Sequence, residues 1–127
     1  AKLWKRPVMG GDNDAEAVDV ARENAVLNGV PELCTFFTSS GLQADELASR
    51  MPYDLVVANI LAGPLVDLAE NFGASVRPGG RVLLSGLLVE QAAQILSAYG
   101  RWGFAFERRI DRETGGAWWR SLILRKA

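Results

Sequence analysis

The chain has 127 residues, 49% of them apolar and 23% charged, with a formal net charge of −1. That is enough for one globular unit with a real core, short for a complete doubly wound enzyme domain, and without the basic footprint of a nucleic-acid-binding surface. Histidine is absent and Cys34 is the single cysteine, which excludes serine–histidine and cysteine–histidine catalysis, an internal disulfide and a cysteine-based metal cluster within these residues.

No run reaches the about 20 apolar residues of a membrane span, and none reads as a secretory signal. A reducing cytoplasm is the expected setting.

Ala1 to Arg6 is a short basic, partly apolar piece that looks like the tail of a helix. Pro7 to Asp12 reads as a short strand ending in an acid. Asp14 is a good N-cap and Glu16 favours the first turn, so a helix is expected to about Asn28, with Ala17, Val18, Ala21 and Ala25 facing a sheet. Gly29 ends that helix and Pro31 follows it. Cys34 to Phe37 is the next strand, its thiol expected to be a buried structural group. Thr38-Ser39-Ser40-Gly41 is the exit loop, and a weak helix covers Gln43 to Arg50.

Tyr53 to Pro64, with the run Leu55-Val56-Val57-Ala58 and Ile60 just beyond, organises the chain. The run is too short for a helix, and reads as a parallel strand buried on both faces. Asn59 then stands at its carboxyl end, where open α/β sheets place their ligands. Its amide offers an acceptor and two donors with no charge to desolvate; the alternative is an asparagine that merely turns the chain. Pro64 fits the first position of a following helix. Leu65, Leu68, Ala69, Phe72 and Val76 follow helical spacing, and Pro78-Gly79-Gly80 is expected to stop that helix. Arg81 to Ser85 is another core strand, with Gly86 opening its loop. A helix from about Val89 to Tyr99 presents Ala92, Ile95, Leu96 and Tyr99. Phe104–Ile110 and Trp118–Leu124 read as strands joined by a polar loop, Asp111 to Gly116, too short for a parallel crossover, hence antiparallel. Without repeats or linkers, residues 1–127 read as one domain.

Strand–helix alternation closed by an antiparallel pair suggests the α/β, Rossmann-like fold of class I S-adenosylmethionine-dependent methyltransferases. Gly11-Asp12-Asn13-Asp14 with the helix to Gly29 resembles the second motif of those enzymes. Tyr53 to Leu65, together with Leu84-Ser85-Gly86-Leu87-Leu88 and Trp118-Trp119-Arg120, resembles the bacterial ribosomal protein L-eleven methyltransferase family far more specifically. The similarity covers essentially the whole chain and only the later part of the family's catalytic domain.

The resemblance implies an S-adenosylmethionine-dependent protein N-methyltransferase that methylates lysine side chains and the α-amino group of a large-subunit ribosomal protein. It implies neither nucleic acid nor membrane as a partner. Asp12 would accept the cofactor's ribose hydroxyls, a carboxylate being able to receive two donors; the competing role is a helix-flanking cap. Asn13 would touch the ribose edge, and Ser39 or Ser40 the adenine. Asn59 would sit beside the transferred methyl and, with backbone carbonyls near Ile60, hold the incoming amine; no general base or metal is called for. Trp118 and Trp119 could flank a substrate lysine, with core packing or sheet cover the better reading because aromatic rings bury large area.

The family's first strand, its glycine-rich loop and its preceding substrate-recognition domain have no counterpart in these residues, and Gly10-Gly11 is no substitute. The chain therefore reads as a partial catalytic domain, with weak or no cofactor binding by itself. In the family the first strand lies between the Val8 and Tyr53 strands, and the final strand runs antiparallel. Without it those strands would pair directly, be bridged by another copy in a homo-oligomer through exposed sheet edges, or flank a gap. Two rival functions stay open: a Rossmann-like methyltransferase of glutamine amides or base amines, which usually carries Asn-Pro-Pro and an aromatic where this chain has Asn59-Ile60-Leu61-Ala62, and a non-catalytic remnant serving as an assembly module. Direct nicotinamide binding calls for a Gly-x-Gly-x-x-Gly turn, which these residues lack.

Overall fold

The computed structural model describes residues 1–127, in two units, Ala1–Arg50 and Met51–Ala127. In the first, strands β1 (Val8–Asp12) and β2 (Cys34–Thr38) pair in parallel, with Val8 opposite Cys34 and Asp12 opposite Thr38. Helix α1 (Ala15–Leu27) links them and packs on both. The Asp14 carboxylate caps it by accepting the Glu16 N–H at 2.9 Å, which satisfies one of the donors that a first turn leaves unpaired. Val18 and Ala25 are buried on the expected stripe, and Ala17 and Ala21 half-buried. Arg22 ties the helix to β2 by donating to the Phe36 carbonyl at 2.9 Å. Helix α2 (Asp45–Ala48) is shorter than its sequence suggests but buries Leu47. Cys34 is a free, half-buried thiol. Residues 1–6 form turns rather than a helix tail, with Lys5 at φ 50°, outside helical backbone.

The second unit carries a four-stranded sheet in the order β3 (Tyr53–Asn59), β4 (Val76–Leu88), β6 (Ala117–Lys126), β5 (Phe104–Thr114). Strand β3 is parallel to β4, and β6 is antiparallel to both β4 and β5. Each unit thus carries its own hydrogen-bonded sheet. Helices α3 (Ala62–Asp67), α4 (Ala69–Ser75) and α5 (Ala92–Gly100) supply Leu65, Phe72, Ile95 and Tyr99 to a core shared with Val82, Leu84, Leu122 and Leu124. Of the predicted helical stripe, Leu65, Ala69, Phe72 and Val76 are buried and Leu68, where α3 gives way to α4, is half-buried.

Four expectations need correction. Strand β3 is not buried on both faces: Val56 is 7% exposed, whereas Leu55 and Val57 on the opposite face are 36% and 61% exposed. The apolar run asks for cover on both faces, but the helices of this unit pack only against the Val56 face. Helix α4 ends at Ser75, ahead of Pro78-Gly79-Gly80, and those residues belong to β4. Extended backbone suits Arg77 before a proline, and Gly80 lies so close to β3 that a Cβ would stand 3.0 Å from the Asp54 carbonyl. The supposed loop Asp111–Gly116 is mostly strand, since β5 runs to Thr114 and only Gly115-Gly116 turn. Both glycines have positive φ, 61° and 77°, the requirement of a two-residue type I′ hairpin. Bidentate bonds from Arg120 to Asp111 at 2.7 and 2.8 Å brace the extended hairpin and hold that carboxyl below its usual range. Finally, α3 starts at Ala62, which places Pro64 third in the helix, still within the first turn where a missing N–H leaves no bond unmade.

Tyr99 is the largest fully buried side chain, set between Phe72 and Phe104 with ring centroids 6.3 and 5.7 Å away, and its hydroxyl has no hydrogen-bond partner. Burial pushes its pKa well above the ordinary value of 10.0. We expect Tyr99→Phe to raise the unfolding free energy by about 1 kcal/mol in urea titrations at neutral pH, because a buried unpaired hydroxyl is lost. A phenol whose folded pKa is raised supports the fold below its unfolded pKa and ceases to as pH rises past it. The native chain should therefore lose more stability than Tyr99→Phe between pH 9 and 11; parallel losses would contradict the unpaired hydroxyl.

Candidate functional site

The sequence-predicted residues lie at the carboxyl ends of parallel strands, in two groups. In the first unit, Asp12 ends β1 and Ser39 follows β2, and the Ser39 N–H donates to the Asp12 carbonyl at 2.8 Å. The Asp12 side chain is exposed, and its Oδ1 accepts the Asp14 N–H at 2.9 Å, closing a tight turn through exposed Asn13. Asp14, not Asp12, is therefore the cap of α1, while the Asp12 carboxylate serves the turn that precedes it. Beside it, Gly10, Gly11, Ala17, Val18, Ala21 and Phe36 line an open cleft of about 170 Å³. A Cβ on Gly10 would come within 2.8 Å of the Phe36 ring, so the absence of a side chain there is a packing requirement.

Ser39 is only 8% exposed, and its Oγ accepts the Ala44 N–H at 3.0 Å. The hydroxyl thus holds the loop before α2, whereas Ser40 is exposed. Of the two serines, the buried one is committed to the fold.

In the second unit, Asn59 ends β3 and is exposed, directly opposite Ser85 of β4. The Ser85 hydroxyl donates to Asn59 Oδ1 at 3.1 Å. Gly86 follows at φ 83°, and a Cβ on it would lie 2.7 Å from the Ile60 carbonyl oxygen and 3.1 Å from Asn59 Oδ1. Asn59 and Ile60 are therefore held against β4 by one hydroxyl and by a residue that must lack a side chain. Sequence reasoning quoted Ser85 and Gly86 in a motif but gave them no role. The available signal was that both directly follow the apolar run Val82-Leu83-Leu84, in a strand parallel to and adjoining that of Asn59.

Trp118 and Trp119 do not pack in the core; they are 58% and 40% exposed. Trp119 stands opposite Leu88, the last residue of β4, so from there to the turn the β5–β6 hairpin projects beyond its neighbour at the Asn59 end of the sheet. The Trp119 indole N–H reaches the Thr114 carbonyl at 3.4 Å.

A family model described as ribosomal protein L11 methyltransferase matches residues 1–126. The chain belongs to that family. It is 41% identical to the ribosomal protein L11 methyltransferase of Rhodopseudomonas palustris over 126 residues, 99% of this chain and 41% of the relative. The Brucella suis protein of that name is also 41% identical, over 89% of this chain and 40% of its own length. The chain thus spans about 40% of the length of these curated relatives. Among solved structures, the ribosomal protein L11 methylase of Lactobacillus delbrueckii subsp. bulgaricus superposes with a TM-score of 0.82 at 30% identity, over 99% of this chain and 62% of that one. A magnesium protoporphyrin IX methyltransferase from Synechocystis, solved with S-adenosylmethionine bound, shares the fold at a TM-score of 0.75 and 18% identity, covering 95% of this chain and 60% of its own. The fold is that of class I S-adenosylmethionine-dependent methyltransferases.

The Ser39 geometry yields a direct test. Ser39→Ala leaves the Ala44 N–H without its partner and should lower the stability of the first unit by about 1–2 kcal/mol in urea unfolding followed by amide NMR. An unchanged midpoint would show that the hydroxyl is free for another use.

Proposed function

We propose that this chain is the later part of the catalytic domain of an S-adenosylmethionine-dependent methyltransferase that methylates amines, lysine side chains and the α-amino group, of ribosomal protein L11. On this reading the two units are parts of one domain, and the enzyme works in the cytoplasm, where ribosomal proteins are made. The observation that carries the reading is the placement of an uncharged amide, Asn59, at the carboxyl end of a parallel strand in a chain that matches the family along nearly its whole length.

S-adenosylmethionine, when bound, supplies a methyl group on a sulfonium sulfur. The exposed Asp12 carboxylate suits a pair of ribose hydroxyls, and Asn13 stands beside it; Ser39, turned into the fold, is a weaker candidate for the adenine. Asn59 Oδ1 has two lone pairs, of which Ser85 takes one. The second, together with the Ile60 carbonyl, would hold the N–H groups of a neutral amine so that its lone pair faces the methyl carbon. So held, the amine would be placed for its nitrogen–carbon bond to form as the carbon–sulfur bond of the bound cofactor breaks, and its surplus proton would pass to water. Positioning of this kind needs no histidine and no metal. The exposed Trp118 and Trp119, at the same end of the sheet, would offer apolar faces to the stem of a lysine or to its flanking residues.

In the longer enzyme, Asn59→Ala should reduce kcat by the equivalent of about 1–3 kcal/mol while leaving cofactor affinity nearly unchanged. Asp12→Ala should do the reverse, weakening cofactor binding more than turnover at saturation. Methylation of L11 at the wild-type rate by a folded Asn59→Ala enzyme would remove Asn59 from the site. The 127-residue chain alone, which carries no glycine-rich loop for the methionine end, should bind the cofactor weakly or not at all in calorimetry; micromolar affinity would show that such a loop is dispensable.

A further inference from the structure

We propose that Ser85 and Gly86 are positioning residues of the amine site: the Ser85 hydroxyl pins the Asn59 amide, and the bare Gly86 backbone seats the Ile60 carbonyl. The inference rests on the reading of Asn59 given above and assigns the machinery behind it.

Asn59 is exposed and last in its strand, where nothing of its own backbone restrains its side chain. The terminal torsion of an asparagine is broad and roughly two-fold, so an unrestrained amide would present its NH₂ as readily as its oxygen. An amine entering with its N–H groups forward needs the oxygen. The parallel register of β3 on β4 puts Ser85 directly opposite, and its hydroxyl donates to Oδ1 at 3.1 Å. That bond occupies one lone pair, holds the amide plane against β4, and leaves the second lone pair for the substrate.

Gly86 acts on the backbone. Its φ of 83° lies in the left-handed region, where other residues are strained. The space its Cβ would fill is already taken, 2.7 Å from the Ile60 oxygen and 3.3 Å from the Ile60 carbonyl carbon. Any side chain there must push the Ile60 peptide away from β4, and with it the start of the turn into α3. Ser85 therefore works through the Asn59 side chain, and Gly86 chiefly through the Ile60 main chain, with a looser approach to Asn59 Oδ1 at 3.1 Å, so only the Gly86 effect should persist in part without Asn59 in a double-mutant analysis.

The test is a set of kcat and KM measurements on the longer methyltransferase with L11 as substrate, comparing the unaltered enzyme with Asn59→Ala, Ser85→Ala, Ser85→Thr, Gly86→Ala and the double variants on Asn59→Ala. Ser85→Ala should lower kcat about fivefold to tenfold, the rate equivalent of one neutral hydrogen bond, with KM within about twofold. Ser85→Thr, which keeps the hydroxyl, should recover most of that loss. In the Asn59→Ala background, Ser85→Ala should add nothing, while Gly86→Ala should still slow the reaction. Equal losses from Ser85→Ala in both backgrounds, or no recovery with threonine, would show a merely structural serine and overturn the proposal. A fully active Ser85→Ala beside an impaired Asn59→Ala would overturn it while sparing the role of Asn59. If Asn59→Ala itself retained full activity, the reading of Asn59 and this inference would fall together.

Discussion

The parallel pairing of β3 with β4, in a register that ends with Asn59 beside Ser85, is the constraint on which the second unit depends. One row of that pairing, Val56 opposite Val82 and Ala58 opposite Leu84, faces the core built by α3, α4 and α5. Because side chains alternate along a strand, a slip of one residue would expose Val82 and Leu84, both fully buried, and turn Ser85 inward. The burial of apolar side chains thus sets the register, and the register sets which polar groups meet at the carboxyl end. The candidate amine site is a consequence of core packing several residues away.

The same logic shows what could be read from residues alone. The strands around Val8, Cys34, Leu55, Val82 and Leu122, the capped helix from Asp14 and the buried stripe Ala92-Ile95-Tyr99 all announce themselves through periodicity, caps and breakers, and all are present. Asn59 was legible because a polar residue at the end of an apolar strand is conspicuous. Ser85 was not, since its importance comes from a partner 26 positions away, and only the register reveals the pair. Ser39 makes a related point: a serine in a Ser/Thr-rich loop looks wholly available until a backbone N–H five residues on is found to claim its oxygen.

Other errors arose where demand for cover was taken as cover. Leu55 and Val57 are apolar enough for a two-sided buried strand, yet one face of β3 remains open. Ring size suggests core packing or sheet cover for Trp118 and Trp119, yet both are largely exposed on a hairpin that outruns its neighbouring strand. The length of that hairpin was hidden by its polar composition: Asp111, Arg112 and Glu113 resemble a loop, but Asp111 pairs with Arg120 across the strands, and Gly115-Gly116 supplies the whole turn. Cross-strand ion pairs can make a charged segment extended, which single-strand patterning cannot show.

On the proposed function, the Asn59 amide meets the substrate amine, braced from behind by β4. The most direct measurement is side-chain amide NMR of the ¹⁵N-labelled longer enzyme, saturated with S-adenosylhomocysteine and titrated with unlabelled L11. The account predicts that the Asn59 Nδ2 resonances shift on substrate addition, and that a lysine-to-norleucine substitution at the methylated positions of L11 abolishes the shift without preventing binding. Asn59 resonances that stay fixed while L11 binds would contradict it.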